Sequence, residues 1–243
     1  MTVTIDASNL HYRELNARIR EAWQTGEKSV VLQNVRGQRY IGDALQGEGK
    51  IVIEGIPGND LAVFMDGPDI VVQGNIQDAA ANTMNSGSVV VHGSAGDTLG
   101  YGMRGGTVYV RDNVGYRAGI HMKEYGEQRP VLVIGGVAGD FMGEYMAGGV
   151  IMVMNLAQQA KAVGNYCGSG MHGGAIFIRS DGFAHAFKGL KASVPEAVEQ
   201  QFITRHLNQF ASFFNRATNI LADQFIKLTA AELRPYEKLY VGI

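Results

Sequence analysis

Apolar residues in this chain come in short alternating runs, each closed by a turn residue: Ile51–Gly55, Ile70–Gly74, Val89–Gly93 and Val108–Asp112. Their central positions, Ile53, Val72, Val91 and Val110, lie 19 residues apart, and Met65, Met84, Met103 and Met122 keep the same step. Further runs centre on Val133, Val153 and Ile178, and Met146 extends the methionine series. Ser29–Gln33 begins the pattern in degenerate form around Leu32. Period-two alternation predicts strands, and glycine ends each of them after a few residues. A repeat this regular predicts a stack of similar units.

The length of the unit decides its shape. Nineteen residues would reach about 63 Å if extended at ~3.3 Å each, yet successive units must bury the same positions. The chain therefore returns to its start after every unit. A coil of three short strands with glycine corners does this, and like residues then stack at about 4.8 Å. The predicted fold is an all-β core, a single-stranded right-handed parallel β-helix of about seven or eight coils, its hand set by the crossover rule. The core ladder is Ile53, Val72, Val91, Val110, Val133, Val153 and Ile178, with Met65, Met84, Met103, Met122 and Met146 filling it from another wall.

Two residues after each centre stand Gly55, Gly74, Gly93, Asp112, Gly135 and Asn155. These are the residue types that best tolerate left-handed backbone, so the column reads as one tight corner. Gly100, Gly102, Gly105, Gly106, Gly148, Gly149, Gly168, Gly170, Gly173 and Gly174 read as further corners. The residue just after each centre points outward by strand alternation. It runs Glu54, Gln73, His92 and Arg111, turns apolar at Ile134 and Met154, and returns to Arg179. Something should cover the outside at Ile134 and Met154.

The two ends differ from the middle. Leu10, Leu15, Ile19, Ala22 and Trp23 recur at helical spacing up to Gly26, predicting a short amphipathic helix over the first coil. After Gly182 the repeat stops. Ser193-Val-Pro-Glu196 has the form of a capping box, and an apolar face from Val198 to Leu221 predicts a long helix or helical pair. Phe213 and Phe214 on it are the expected cover for Ile134 and Met154, with a partner subunit as the rival cover. Thr229-Ala-Ala-Glu232 forms a second box before the tail. The expected organisation is an N-terminal strand–helix cap over 1–28, repeats over 29–182 and a C-terminal helical segment over 183–243, in one structural unit. The inserts Lys123–Pro130 and Asn155–Gly170 are expected as side loops.

Composition narrows the chemistry. A net charge of −2 gives no basic face for nucleic acid, and no apolar run reaches membrane-spanning length. The start has no signal-peptide pattern, and Cys167 is the single cysteine, which together predict a cytoplasmic protein without an intrachain disulfide. Gly100-Tyr-Gly102-Met-Arg-Gly105 and Gly168-Ser-Gly170-Met-His-Gly173 match a dinucleotide fingerprint in letters, but each leads into a strand where that fingerprint opens a helix. Gly26-Glu-Lys28-Ser29 lacks the upstream glycine of a phosphate loop. The methionine column reads as packing rather than a soft-metal site. His92 falls in the outward ladder, His121 and His172 beside repeat methionines, and His11, His185 and His206 are scattered, so no spacing requires a metal triad or a base for Cys167.

The run Val89–Gly106 and its relatives at Val133–Val153 and Gly164–Ile178 share the form Ile/Val-x-Val-x-Gly-x-Ala-Gly-Asp-x-x-Gly-x-x-Met-x-Gly-Gly. This resembles the GXGXG domain, the C-terminal part of the glutamate synthase large subunit, which in some prokaryotes is a separate polypeptide. The flanks IDASNLHYRELNARIREA and FIKLTAAELRPYEKLYV resemble that domain too, so the likeness spans nearly the whole chain. The resemblance implies a right-handed β-helix and no catalytic, cofactor or metal residue in this chain. Glutamine hydrolysis would belong to an amidotransferase subunit, and FMN and an iron–sulfur cluster to a synthase subunit. The expected role is a scaffold joining those two in a split glutamate synthase. Related repeats occur in one of the subunits of formylmethanofuran dehydrogenase, in the formyltransferase/hydrolase complex and in N-methylglutamate synthase; the flanks favour glutamate synthase. A scaffold in a formylmethanofuran dehydrogenase or another formyl-transfer complex is the alternative. A β-helix enzyme with a small-molecule site around Cys167 in the 155–170 loop is a third reading, and self-association stays open.

Overall fold

A computed structural model describes residues 2–179 and 187–231. Nine parallel strands stack in one sheet: β1 (Thr2–Asp6), β2 (Ser29–Arg36), β3 (Lys50–Ile56), β4 (Asp66–Val72), β5 (Ser86–Val91), β6 (Thr107–Val110), β7 (Val131–Ile134), β8 (Ala147–Val153) and β9 (Gly173–Arg179). The chain returns to the same face after each strand, giving a parallel β-solenoid. Helix α1 (Tyr12–Gln24) lies between β1 and β2. After β9 come β10 (Leu190–Ser193), α2 (Ala197–Phe214) and β11 (Phe225–Ala230).

Two inner columns build the core. Val30, Ile51, Ile70, Val89, Val108, Leu132, Ile151 and Ile176 pair in sequence along one. Leu32, Ile53, Val72, Val91, Val110, Ile134, Val153 and Ile178 form the other. Val110 thus pairs with Ile134, one residue beyond the expected Val133. Ile134 is an internal residue, and Val133 faces outward between Tyr109 and Met152. The insert before β7 is one residue longer than the apolar pattern alone suggests, and with a side-chain period of two, one residue flips every side chain.

The corner column shifts with it. Gly136 bonds to the carbonyl of Asp112 and receives the N–H of Asn155, so it takes the place expected for Gly135. Gly135 occupies the outward position instead, where a Cβ would stand 2.6 Å from Cζ of Phe210. Left-handed backbone occurs in this column only at Gly55 (φ 129°) and Asn155 (φ 44°). Gly74 and Gly93 are small for another reason: a Cβ would lie 2.9 Å from the carbonyl oxygen of Gly55 and 2.7 Å from that of Gly74. The corner is a close approach of stacked backbones more than a left-handed turn.

Only one wall of each coil is a sheet, in place of the three strands expected. The second wall is a file of single parallel bridges, Ile76, Ala95, Val114, Ala138 and Val163. The third is a run of turns. Both ends of the core are closed. At the start, Leu15, Ile19 and Trp23 of α1 are buried against the first coil. At the finish, β11 pairs antiparallel with β9 and sets Ile226 and Leu228 beside Ile178 and Ile176. That closing antiparallel pair of β10 and β11, with α2 between them in the chain, replaces part of the helical segment expected there, and Thr229 lies in a strand rather than a cap.

Helix α2 packs on the outer face of the sheet. Ile203, Leu207 and Phe210 are buried with Tyr109, Val133, Met152, Met154 and Phe177, while Phe213 and Phe214 pack at the margin. Met154 is therefore covered by the chain's own helix, as the apolar outward position required. The helix starts at Glu196, whose N–H is held by the carboxylate of Glu199 at 2.9 Å, so the box is Glu196 with Glu199 rather than Ser193 with Glu196. Asn215 in the left-handed conformation (φ 46°) ends it.

Candidate interaction surface

The turn wall carries the features that distinguish this solenoid. The column of Leu45, Met65, Met84, Met103, Met122, Met146 and Met171 is buried, each coil's backbone bonded to the next. Five, three and one residues before it, the backbone is left-handed in coil after coil: Thr98, Gly100 and Gly102, then Arg117, Gly119 and His121, then Phe141, Gly143 and Tyr145. Gly100 donates its N–H back to Ala80, while Thr98 and Gly102 donate forward to Tyr116 and Ile120. The coil is thus stitched to both neighbours without being a strand.

The middle position of each turn points at the core. A Cβ there would meet Ile70 at Gly42 (2.7 Å), Leu132 at Gly100 (3.1 Å) and Ile176 at Gly143 (2.8 Å). Each contact reaches the inner column two coils on. Counted by the same two-coil step, Ala62 falls at the level of Val89 and Ala81 at that of Val108. Where the turn gains a methyl the facing residue loses one, as close packing requires. Cys167 belongs to the inner column of this wall with Ile41, Leu61, Ala80, Leu99, Ala118 and Met142. Burial pushes its thiol up to about 12, so it stays protonated and is a filler rather than a nucleophile at neutral pH.

The first and last turn positions point outward, and at Tyr40, Phe64, His121, Phe141, Tyr145 and Tyr166 they carry rings. His121 stacks on Tyr145 at 5.3 Å with 12° between planes, and Tyr101 meets His121 edge-on at 5.8 Å. Phe141 stacks on Tyr166 at 4.8 Å, with the Arg117 guanidinium 4.8 Å from the Phe141 centroid and held by Glu144 at 3.2 Å. Tyr40, Phe64, Tyr116 and Tyr166 are also exposed, Tyr166 to 66%. A surface rich in tyrosine and arginine has the composition of a protein interface. Sequence reasoning missed this face, although a partial signal was present: Phe64, His121, Phe141, Tyr145 and Tyr166 stand one or five residues before a methionine of the column.

The expected interface residues sit elsewhere. Ile134 and Met154 are fully buried, and Phe213 and Phe214 pack against Tyr109 and His92 at 5.0 Å each. Beneath α2, Tyr109 Oη and His206 Nδ1 lie 2.6 Å apart, and His206 Nε2 is buried without a partner. Burial, aided by Arg205, lowers His206 to about 4. Burial likewise raises Tyr109 to about 12. His92 and His121 are surface residues on two different walls, and His185 lies outside the described residues. Among the described residues no His, Cys, Asp and Glu side chains gather into a metal site.

Residues 17–232 match the GXGXG motif family. The chain belongs to that family. An uncharacterized protein of Methanocaldococcus jannaschii is 45% identical over 251 aligned positions, covering 98% of this chain and 96% of the relative. Among solved structures, a chain of the formyltransferase/hydrolase complex of Methylorubrum extorquens, crystallised with methylofuran, has the same fold. It is 20% identical, with a TM-score of 0.63 over 88% of this chain and 90% of its own. Among the described residues no helix is long and apolar enough to cross a membrane.

Proposed function

We propose that this GXGXG chain is a non-catalytic scaffold subunit of a cytoplasmic multi-subunit enzyme, and that its turn face seats the catalytic partners. The observation that carries the reading is the contrast between the walls. The interior is filled with aliphatic side chains, methionines and a protonated thiol, whereas the outward turn positions of the later coils present His121 stacked on Tyr145 and Phe141 stacked on Tyr166, with Arg117 against Phe141. The leading assignment, from the flanking sequences, is a split glutamate synthase, with an amidotransferase subunit and a synthase subunit carrying FMN and iron–sulfur. The second is a scaffold in a formyl-transfer complex, favoured by the fold shared with the formyltransferase/hydrolase chain.

Recovery of the tagged chain from its native cell separates them. Co-purified amidotransferase and flavin subunits support the first, and a formyltransferase or a molybdenum or tungsten subunit supports the second. Recovery of the chain alone defeats both. Tyr145→Ala with Tyr166→Ala should weaken the complex by about 2 kcal/mol or more, as for buried aromatic anchors, while leaving thermal stability nearly unchanged.

A further inference from the structure

The two ends of the sheet are treated differently. Among the described residues β1 pairs only with β2, which leaves its far edge open, and β10 is the opposite terminal strand. β10 is four residues long and antiparallel, carries Lys191 and is followed by Pro195, all of which discourage further pairing. β1 has five residues, pairs in continuous register with β2 and contains neither lysine nor proline.

The free hydrogen-bonding groups on β1 can be named. In later coils the outward-facing residues donate their N–H to the preceding coil: Lys50 to Lys28, Gln73 to Ile53, His92 to Val72 and Arg111 to Val91. Inward-facing Ala7 donates forward, to Gln33. By register, Thr2, Thr4 and Asp6 are the outward residues of β1, so their amides and carbonyls aim at a coil that the described chain does not supply. All three are exposed, while Val3 and Leu10 on the inner side are only partly covered.

Helix α1 limits what can take that place. It hangs beneath the first coil, with Asn16 bonded to the Arg39 carbonyl at 2.8 Å and Trp23 to that of Gln46 at 2.9 Å. A helix is about 10 Å across and a strand takes ~4.8 Å of sheet, so a helix seated directly on the coil of Arg39 and Gln46 would reach about one strand width beyond the β1 edge. The end of a second solenoid would strike α1 before its edge met β1. One extended segment fits beside the helix.

We propose that the β1 edge takes an extended segment of a catalytic partner subunit, which joins the sheet as an additional strand. The segment alternates, with apolar residues set against Val3, Ile5 and Leu10 and polar ones outward. A lysine or arginine in it is matched to the second oxygen of the exposed Asp6 carboxylate, whose Oδ1 already accepts from Asn34 Nδ2 at 3.0 Å and the Ser8 N–H at 2.9 Å. Backbone bonds to Thr4 and Asp6 provide the affinity, and the alternation provides the selection. This rests on the scaffold reading.

Hydrogen exchange on the chain alone and in the complex isolated from the native cell tests it. The amides of Thr4 and Asp6 should exchange freely in the isolated chain and slow by about tenfold or more in the complex. Thr4→Pro removes an N–H that makes no bond to a described residue, at an edge where proline is tolerated. It should fold, and bind its partner about tenfold more weakly. Thr4→Val keeps the N–H and should bind normally. If Thr4→Pro does not fold, the wild-type exchange still decides. A complex with unchanged exchange at both amides overturns the edge assignment and leaves the scaffold reading standing. Failure to find any complex overturns both. Protection that grows with concentration in the chain alone gives the edge to a second copy and overturns the partner assignment.

Discussion

Gly143→Ala paired with Ile176→Val probes the packing rule that links the turn wall to the core. Gly143 has φ 69°, and a Cβ there would lie 2.8 Å from Cδ1 of Ile176 but 3.8 Å from its Cγ1. The left-handed backbone costs an alanine about 1–2 kcal/mol. Displacing Cδ1, the movable end of a side chain, costs about 1 kcal/mol more. Reduced freedom of the unfolded chain returns about 0.4–1 kcal/mol. The single variant should therefore lose about 2 kcal/mol, or ~4–8 °C in Tm for a chain of this size. Ile176→Val alone should lose about 1 kcal/mol. It deletes the atom that clashes, so the double variant should be no less stable than Gly143→Ala. Urea denaturation of the four proteins gives the coupling energy directly. A double variant that loses the sum, about 3 kcal/mol, would refute volume matching across coils.

Three further outcomes follow from the outer face and the thiol. His206 is neutral in the fold, with its pKa lowered from 6.5 to about 4. Its contribution is present above pH 6.5, declines as the unfolded chain takes up the proton below that, and is gone below about 4. Wild type should lose about 3 kcal/mol more than His206→Phe between pH 7.5 and 4; parallel melts at the two pH values check it. Phe210→Ala should cost about 3–5 kcal/mol because Phe210 is fully buried against Gly135. Phe213→Ser and Phe214→Ser, at the margin of α2, should each lower Tm less than that; the reverse order would mean that the helix is seated differently. Cys167 should resist iodoacetamide in the native chain at pH 7.5 and react once denaturant is added; native labelling would contradict its placement.

The stack was legible because it depends on period. Ile53, Val72, Val91 and Val110 recur at the same step, and hydrogen bonding between coils turns that step into contact. Register was lost where the period broke. The insert before β7 moved the ladder from Val133 to Ile134, and no local preference distinguishes two adjacent β-branched residues. The turn wall was half legible. Its glycines announced corners, but Phe64, Phe141 and Tyr145 adopt the same left-handed backbone. Backbone bonds to the next coil, from Phe64 to Asn82, Phe141 to Asn165 and Tyr145 to Ser169, hold them there against their intrinsic preference, which residue type does not reveal. The strand Phe225–Ala230 was hidden because its partner is β9, and pairing across some 50 residues leaves no local signal. The aromatic face was half legible: Phe141 and Tyr145 before Met146 and Tyr166 before Met171 mark it, but the same positions before Met84 are Ala79 and Thr83.

Native mass spectrometry of the assembly isolated from the source cell tests the scaffold claim most directly. The account predicts this chain in fixed stoichiometry with separate catalytic subunits, and dissociation of that assembly by Tyr145→Ala with Tyr166→Ala. A chain recovered as a free monomer or as copies of itself alone would contradict it.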